Sequence, residues 1–261
     1  MKINEYYRDT ANLNLNGSIA ALVPTTMIVI GNIFFLKHKE IMILAIPFLL
    51  YSLICFQLYL FRMRQSIKIG KNLIETNVAQ QSIFKTQHLL VLFRNSSSSS
   101  VLLYFPNGHF AGEIKRYRGR GLKWIFSAKT FALYNSDHHV LCYFKVKGKR
   151  LIRIEVYHQN RSFLGSLEKK TLGFRKSKKD LMDSTGRYVG AIEGSSIFMD
   201  EQILDDGYVQ VGRLRRGWMP VEWSSMFPEP NTPVLSFKDN LSEEDKLLRM
   251  SFLINEYYIE R

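Results

Sequence analysis

The hydrophobic pattern changes period twice along the chain, and those changes separate a doubly apolar N-terminal stretch, a long alternating region and a terminal helix. Ile19 to Leu36 is 18 residues without a charge, and Ile41 to Phe61 is 21 more. As helices, both are long enough to cross a hydrocarbon core about 30 Å thick. Only "KHKE", Lys37 to Glu40, separates them, which predicts an antiparallel transmembrane hairpin over 19–36 and 41–61. A secretory signal would show one shorter apolar core and a small-residue cleavage site. A pair of soluble helices would carry a polar face, and these segments lack one. Thr25, Thr26, Asn32 and Gln57 are the strongly polar exceptions besides serines, and they are expected where the two helices touch. Pro24 and Pro47 can each kink a span, which a neighbouring helix accommodates.

Beyond the second span, Arg62 to Gln80 carries Ile67, Ile69, Leu73, Ile74 and Val78 with lysines between, which predicts a juxtamembrane amphipathic segment over 62–81. Then the period shortens. Runs such as "VLLYF", "VLCYFKV", "LIRIEVY", "YVGAI", "SSIFM" and "YVQVGRL" alternate with turn signals, including Asn107-Gly108, Lys147-Gly148 and Asp183 to Gly186. "NSSSSS", Asn95 to Ser100, reads as a hairpin loop. About ten to twelve short strands at this spacing predict a sandwich or barrel rather than a parallel α/β sheet. The chain ends in a helix over 242–258. Ser242 is its cap, Glu243, Glu244 and Asp245 fill the first turn, and Leu247 to Ile254 are apolar on nearly every side. A helix of that kind needs burial all round, and threading it through a barrel supplies it.

Charge adds orientation. Lys2 and Arg8 precede the first span and Arg62, Arg64, Lys68 and Lys71 follow the second, against Lys37 and Lys39 between them. That bias predicts a two-span cell-membrane protein with the 1–18 tail, the C-terminal domain and both termini cytoplasmic. The two cysteines, Cys55 in a span and Cys142 in a strand, predict no disulfide.

Four stretches share one grammar: "FPNGHFAGEI", "YHQNRSFLGSL", "MDSTGRYVGAI" and "LDDGYVQVGRL". In each, a polar turn is followed by an aromatic or aliphatic run and an in-strand glycine: Gly112, Gly165, Gly190 or Gly212. Such glycines mark bends or close backbone approach, so the repeat reads as scaffold. On "MDSTGRYVGAIEG", its echo "LDDGYVQVGRL" and the closing "EDKLLRMSFLI", the sequence resembles the tubby C-terminal-domain-like superfamily, which includes tubby-like proteins, phospholipid scramblases and LURP-one-related proteins. The resemblance implies a tubby-like, twelve-stranded closed β-barrel around the C-terminal helix, covering Ser82 to Arg261. There are departures. Two spans precede the domain, a palmitoylated cysteine cluster has no counterpart, and Arg249 with "NEYYIER" suggests that the last helical turns protrude. The family's phosphoinositide-binding residues do not map onto particular positions, so neither that binding nor scrambling is carried over.

The candidate chemistry is electrostatic. The chain has a net charge of +13. Its domain gathers cations in four clusters: Lys115, Arg116, Arg118, Arg120 and Lys123; Lys145, Lys147, Lys149, Arg150 and Arg153; Lys169, Lys170, Arg175, Lys176, Lys178 and Lys179; and Arg213, Arg215 and Arg216. On a tethered domain these residues are expected to bind anionic lipid headgroups, at about 1 kcal/mol each near the surface. A solvated basic surface or contact with a membrane protein partner is the alternative. The membrane anchor and the missing recognition motifs set nucleic acid aside. No zinc spacing, phosphate loop, nucleophile elbow or H-E-x-x-H appears, which predicts a non-catalytic protein without metal or cofactor. The rival functional classes are a scramblase-like or transport-accessory role in the spans, and a toxin-immunity or stress-response accessory acting by protein contact. "GWMPVEWSSMFPEPNTPVLSF" is expected to be a loop pinned by Trp218 and Trp223 that closes one barrel end, with an exposed partner site as the other reading.

Overall fold

The structure is a computed structural model that describes residues 2–74, 82–94, 99–117, 129–148, 151–173, 176–195 and 199–259. It forms two compact units, Met1–Asn77 and Val78–Arg261.

The first unit is a helical hairpin of α1 (Ile3–Gly31) and α2 (Ile46–Ile74), joined through a π-helical turn at Asn32–Leu36 and a 3-10 turn at Lys39–Ala45. The N-terminal tail is therefore helical from Ile3 rather than an extension before the span. Ile3, Tyr7, Ala11, Ser18, Ala21 and Thr25 recur at helical spacing and are buried. Small side chains bring the helices together: Ser18 and Ser52 share a 3.0 Å hydrogen bond, and Ser66 Oγ donates to the Asn4 carbonyl at 2.8 Å. Residues 62–74 are not a separate helix but the continuation of α2, with Ile69 and Leu73 buried along it. Of the four polar exceptions, Thr25 and Asn32 lie buried and Thr26 and Gln57 face outward. Both threonines donate back to carbonyls one turn earlier, which satisfies them inside an apolar helix. The segments Ile3–Phe35 and Glu40–Leu73 are long and apolar enough to cross a membrane.

The second unit is a closed antiparallel meander of twelve strands. They are β1 (His88–Arg94), β2 (Ser100–Tyr104), β3 (Phe110–Arg116), β4 (Thr130–Asn135), β5 (Val140–Lys147), β6 (Leu151–His158), β7 (Phe163–Gly173), β8 (Lys176–Asp183), β9 (Tyr188–Ser195), β10 (Asp200–Asp205), β11 (Gln210–Arg215) and β12 (Val234–Phe237). Each pairs with its sequence neighbours, and β12 returns to β1, with Leu89 opposite Leu235. Closure removes the open edges that a sheet of this size would expose.

Because every strand reverses the last, the connections sort into two ends. The links after β2, β4, β6, β8 and β10 form a turn end, and the links after the odd-numbered strands form a loop end. Residues 82–87 lead into β1 at the turn end, so the chain enters the barrel away from the loop end.

The five links at the turn end are one structure repeated. Phe105, Asn135, His158, Asp183 and Asp205 each accept from the N–H three residues on and donate to the carbonyl four residues on. The residue three along (Gly108, His138, Arg161, Gly186 or Tyr208) takes a positive φ between 60° and 83°. Asn135, Asp183 and Asp205 add a side-chain oxygen that accepts from turn N–H groups at 2.8–3.0 Å. A bulge follows at Ala111, Leu141, Leu164, Val189 and Val211, and beyond it stands an inward residue: Gly112, Cys142, Gly165, Gly190 or Gly212. The sequence pattern exposes four of these units. The fifth, Val140-Leu141-Cys142, escapes it because cysteine stands in place of glycine.

The C-terminal helix lies inside the barrel. The helical rod of α3 (Glu243–Met250), α4 (Phe252–Ile254) and a π-helical turn (Asn255–Ile259) buries Leu247, Leu248, Met250, Phe252, Leu253 and Ile254 against inward residues such as Leu103, Phe144, Val156, Leu181 and Leu235. Ser242 Oγ accepts from the Asp245 N–H at 3.1 Å and caps its start. The rod enters at the turn end, where Lys246 Nζ donates to the Phe84 carbonyl and Arg249 to the Val189 carbonyl. It reaches the loop end, where the Tyr258 hydroxyl donates to the Ile114 carbonyl at 2.7 Å. Arg249, Asn255, Glu256 and Tyr257 are all buried, so the described last turns do not protrude.

Two elements differ from the pattern-based expectation. The closing strand β12 comes out of the Pro- and aromatic-rich segment read as a loop. The basic stretch "KKTLGFRKSKKD", absent from the strand runs, supplies the end of β7 and most of β8. Likewise β10 is "DEQILD" rather than "SSIFM", of which Ser196, Ile197 and Phe198 lie outside the described residues.

Candidate anion-binding end of the barrel

Strand order decides where the cations go. Lys115 and Arg116 end β3, Lys147 ends β5, Lys178 and Lys179 start β8, and Arg215 and Arg216 stand where β11 finishes. All of these positions are at the loop end. Arg118, Arg120, Lys123, Lys149, Arg150 and Arg175 lie outside the described residues, in the chain between β3 and β4, β5 and β6, and β7 and β8; Lys176 is described only in its backbone. Clusters separated by dozens of residues in sequence thus converge, while the turn end and the helix start carry Asp137, Asp183, Asp205, Asp206, Glu243 and Glu244 mixed with Lys85, Arg161, Arg187 and Lys238.

Several of these cations are partly neutralised. Glu113 pairs with Arg94 at 3.1 Å and Lys115 at 2.8 Å, Glu155 with Lys147 at 2.6 Å, and Asp180 with Lys178 at 3.2 Å. Asp200 takes a two-pronged contact from Arg213 at 2.8 and 2.9 Å, with Arg215 at 3.8 Å. Burial is the largest single effect and pushes the Glu113 and Glu155 carboxyls up, but the hydrogen bonds they accept and the charges of Lys115 and Arg94, and of Lys147 and Arg153, together outweigh it and hold both below the usual range. The Arg213 hydrogen bond likewise holds Asp200 down. Arg116, Lys129, Lys170 and Arg216 are exposed and have no carboxylate partner among the described residues, so their charge faces solvent. Lys129 stands outside the four clusters drawn from sequence; the signal for it is its position at the end of the β3–β4 connection.

Lys179 leaves the candidate set. It points into the barrel, is 4% exposed, and bonds to Glu201 on β10 and to Glu256 of the terminal helix, the latter at 2.6 Å. Asn255 Nδ2 also donates to Glu256 Oε1 at 2.9 Å. Lys169 lies directly opposite Lys179 in the β7–β8 register and is also buried. Alternation along a strand explains the split between neighbours: Lys178 faces out and Lys179 faces in.

Burial pushes the Glu201 carboxyl up to about 7, against the pull of Lys179 and reinforced by Glu256. Burial also lowers Lys179, but the two carboxylates outweigh it and hold its ammonium above the ordinary lysine range. From pH 4.5 to about 7 the folded Glu201 holds its proton while the unfolded one releases it. Stability from this group therefore falls as pH rises through that window, by up to about 3 kcal/mol. Glu201→Gln removes the titration. In denaturation of the full-length protein, wild type is expected to lose ground to this variant as pH rises from 4.5 to 7. A difference that stays flat across the window would contradict the assignment.

No group of three or more His, Cys, Asp or Glu residues that could hold a metal ion occurs among the described residues. His138 and His139 sit in the β4–β5 turn, and Cys142, buried in β5, has its thiol driven far up by burial. The Trp218–Trp223 segment does not close a barrel end. Leu90, Leu102 and Tyr104 alternate with inward residues, face outward and are fully buried, and Phe227 packs against Tyr104 with ring centroids 6.3 Å apart. Residues 216–233 thus strap the outer face of β1 and β2, with Trp223 against His88 at 5.6 Å.

No family model matches the chain, and no curated protein matches it. Among solved structures, a protein from Arabidopsis thaliana aligns over 67% of this chain and 91% of its own length, at 12% identity and a TM-score of 0.45.

Proposed function

We propose that this is a two-span membrane protein, non-catalytic, whose cytoplasmic barrel binds anionic lipid headgroups through its loop end. The observation that carries the reading is the convergence of the cationic clusters at that end, with Arg116, Lys129, Lys170 and Arg216 exposed and free of carboxylates among the described residues. The cytoplasmic leaflet of a cell membrane is anionic, and each basic residue near it contributes about 1 kcal/mol. Four such residues give about 4 kcal/mol, or roughly a thousandfold in binding. The barrel closed around a terminal helix is also what a tubby-like assignment implies, and we keep that family as the reading of the domain's origin. A transport role in the spans is less favoured, because Ile19–Leu36 and Ile41–Phe61 contain no charge.

The test uses the full-length protein held in neutral phosphatidylcholine nanodiscs, so that capture reports the barrel rather than the anchor. It is expected to co-float with added vesicles containing phosphatidylserine at low salt, and to release as salt screens the charges. Arg116→Glu, Lys129→Glu, Lys170→Glu and Arg216→Glu together are expected to abolish capture. Equal capture by neutral vesicles, or capture indifferent to these substitutions, would sink the proposal.

A further inference from the structure

Five large apolar side chains stand exposed on the described barrel domain: Leu151, Tyr208, Val209, Trp218 and Val221. Tyr208 and Val209 belong to a tight turn at the turn end. Leu151 begins β6 at the loop end, and Trp218, 65% exposed, follows β11 there, with Val221, 82% exposed, three residues on in the same segment. Trp218 stands beside the cationic end of the barrel, against Arg215, and Val221 is its exposed apolar neighbour along the segment.

The segment that carries them is braced. Gly217, with φ at 79°, turns the chain out of β11. The Arg216 N–H donates to the Met199 carbonyl at 3.0 Å, and its side chain donates to the Asn231 carbonyl at 3.2 Å. Past the tip, the Trp223 N–H donates to the Pro220 carbonyl at 3.1 Å, and Met226 and Phe227 are buried. The guanidinium of Arg215 lies 3.4 Å from the centroid of the Trp218 ring and is itself held near Asp200. One ring face is therefore covered by a cation and the rest meets solvent. An indole among arginines suits the headgroup level of a bilayer, where its apolar body and polar N–H are both satisfied and the guanidinium meets phosphate.

We propose that Trp218 and Val221 form a wedge that inserts into the interfacial layer of an anionic membrane when the loop end docks. This inference rests on the headgroup-binding reading and gives that site a second, apolar component. Charge brings the loop end to the surface, and the wedge holds it there. The wedge therefore contributes to affinity without contributing to salt dependence.

The chain has three tryptophans, so Trp124→Phe with Trp223→Phe leaves Trp218 as the sole reporter. This full-length variant, in neutral nanodiscs, is mixed with phosphatidylserine-containing vesicles whose lipids carry a bromine quencher in the upper acyl chain. Insertion is expected to shift Trp218 emission to the blue and to quench it. In the otherwise wild-type protein, Trp218→Ala with Val221→Ser is expected to weaken vesicle capture about tenfold while leaving its salt dependence unchanged. Capture with unshifted, unquenched emission and no loss in the double variant overturns the wedge and leaves headgroup binding standing. Quenching that is equal on neutral vesicles and indifferent to salt supports the wedge and removes headgroup binding. No capture of any vesicle overturns both.

Discussion

Replacing Lys179 with methionine is expected to destabilise the barrel by about 3–5 kcal/mol, although methionine matches lysine in length. The ammonium is 4% exposed and is the described cation that holds Glu201 and Glu256, themselves almost wholly buried. Removing it leaves Glu201 and Glu256 facing each other without a cation or water. The Glu201 carboxyl, already raised by burial, loses the charge that pulls it down and is pushed higher still, and Glu256 loses the contact that ties the last helical turn to β8. The informative comparison is the triple variant Lys179→Met, Glu201→Gln, Glu256→Gln. Replacing a whole buried ionic group is often close to neutral, so most of the loss is expected to return. Equilibrium denaturation of the full-length protein, followed by barrel tryptophan emission, checks both. A loss in the single variant below about 1 kcal/mol would mean that water reaches the cluster and solvates it.

The second large effect is expected at Gly165, where alanine is predicted to cost about 2–5 kcal/mol. Its φ is 150°, a region essentially reserved for glycine. A Cβ there would lie 2.2 Å from the Met182 carbonyl oxygen and 3.1 Å from a methyl of Leu248 on the enclosed helix. Backbone on one side and the helix on the other leave no direction for relief. Gly186→Ala is the control: it also has a positive φ, at 83°, but meets nothing within 4 Å. It is expected to cost about 1–2 kcal/mol. The same denaturation assay ranks the two, and equal losses would show that backbone conformation alone sets the cost. Cys142 explains why the rule is not universal. It holds the equivalent inward position after the β4–β5 turn without a positive φ, so a small side chain fits there.

Much of the scaffold can be read from residues that act locally. The uncharged stretches Ile19–Leu36 and Ile41–Phe61 mark the span candidates because the cost of placing charge in hydrocarbon is set by each side chain itself. The Asp183 and Asp205 turns are legible because a carboxylate oxygen satisfies N–H groups within four residues. Ser242 is legible as a cap for the same reason. Limits appear where a residue's role depends on distant partners. Ile3 to Asn16 looks polar enough for a tail, and its helix is buried along one side within the hairpin. "PVLSF" looks like part of a loop, and becomes a strand because β1 and β11 both offer it hydrogen bonds. Arg249 looks like a sign of exposure, yet the Val189 carbonyl and Asp245 receive it inside the barrel mouth.

The candidate site divides along the same line. Its chemistry, an excess of lysine and arginine in short clusters, is present in the sequence. Its geometry is not, since four clusters on a chain have no common surface until strand order assigns them to one end. Alternation then removes Lys179 from that surface while leaving Lys178 on it. Trp218 and Val221 could not be distinguished from packing residues by type; only the strap across β1 and β2 buries Phe227 and leaves them out. By itself, then, the sequence determined the apolar hairpin, the repeated tight turns, the capped terminal helix and the basic character of the domain, because short-range free energies dictate each of them. The tertiary structure alone decided which strand closes the barrel, which lysine is buried and which end carries the charge, because those outcomes depend on pairings between residues far apart in the chain.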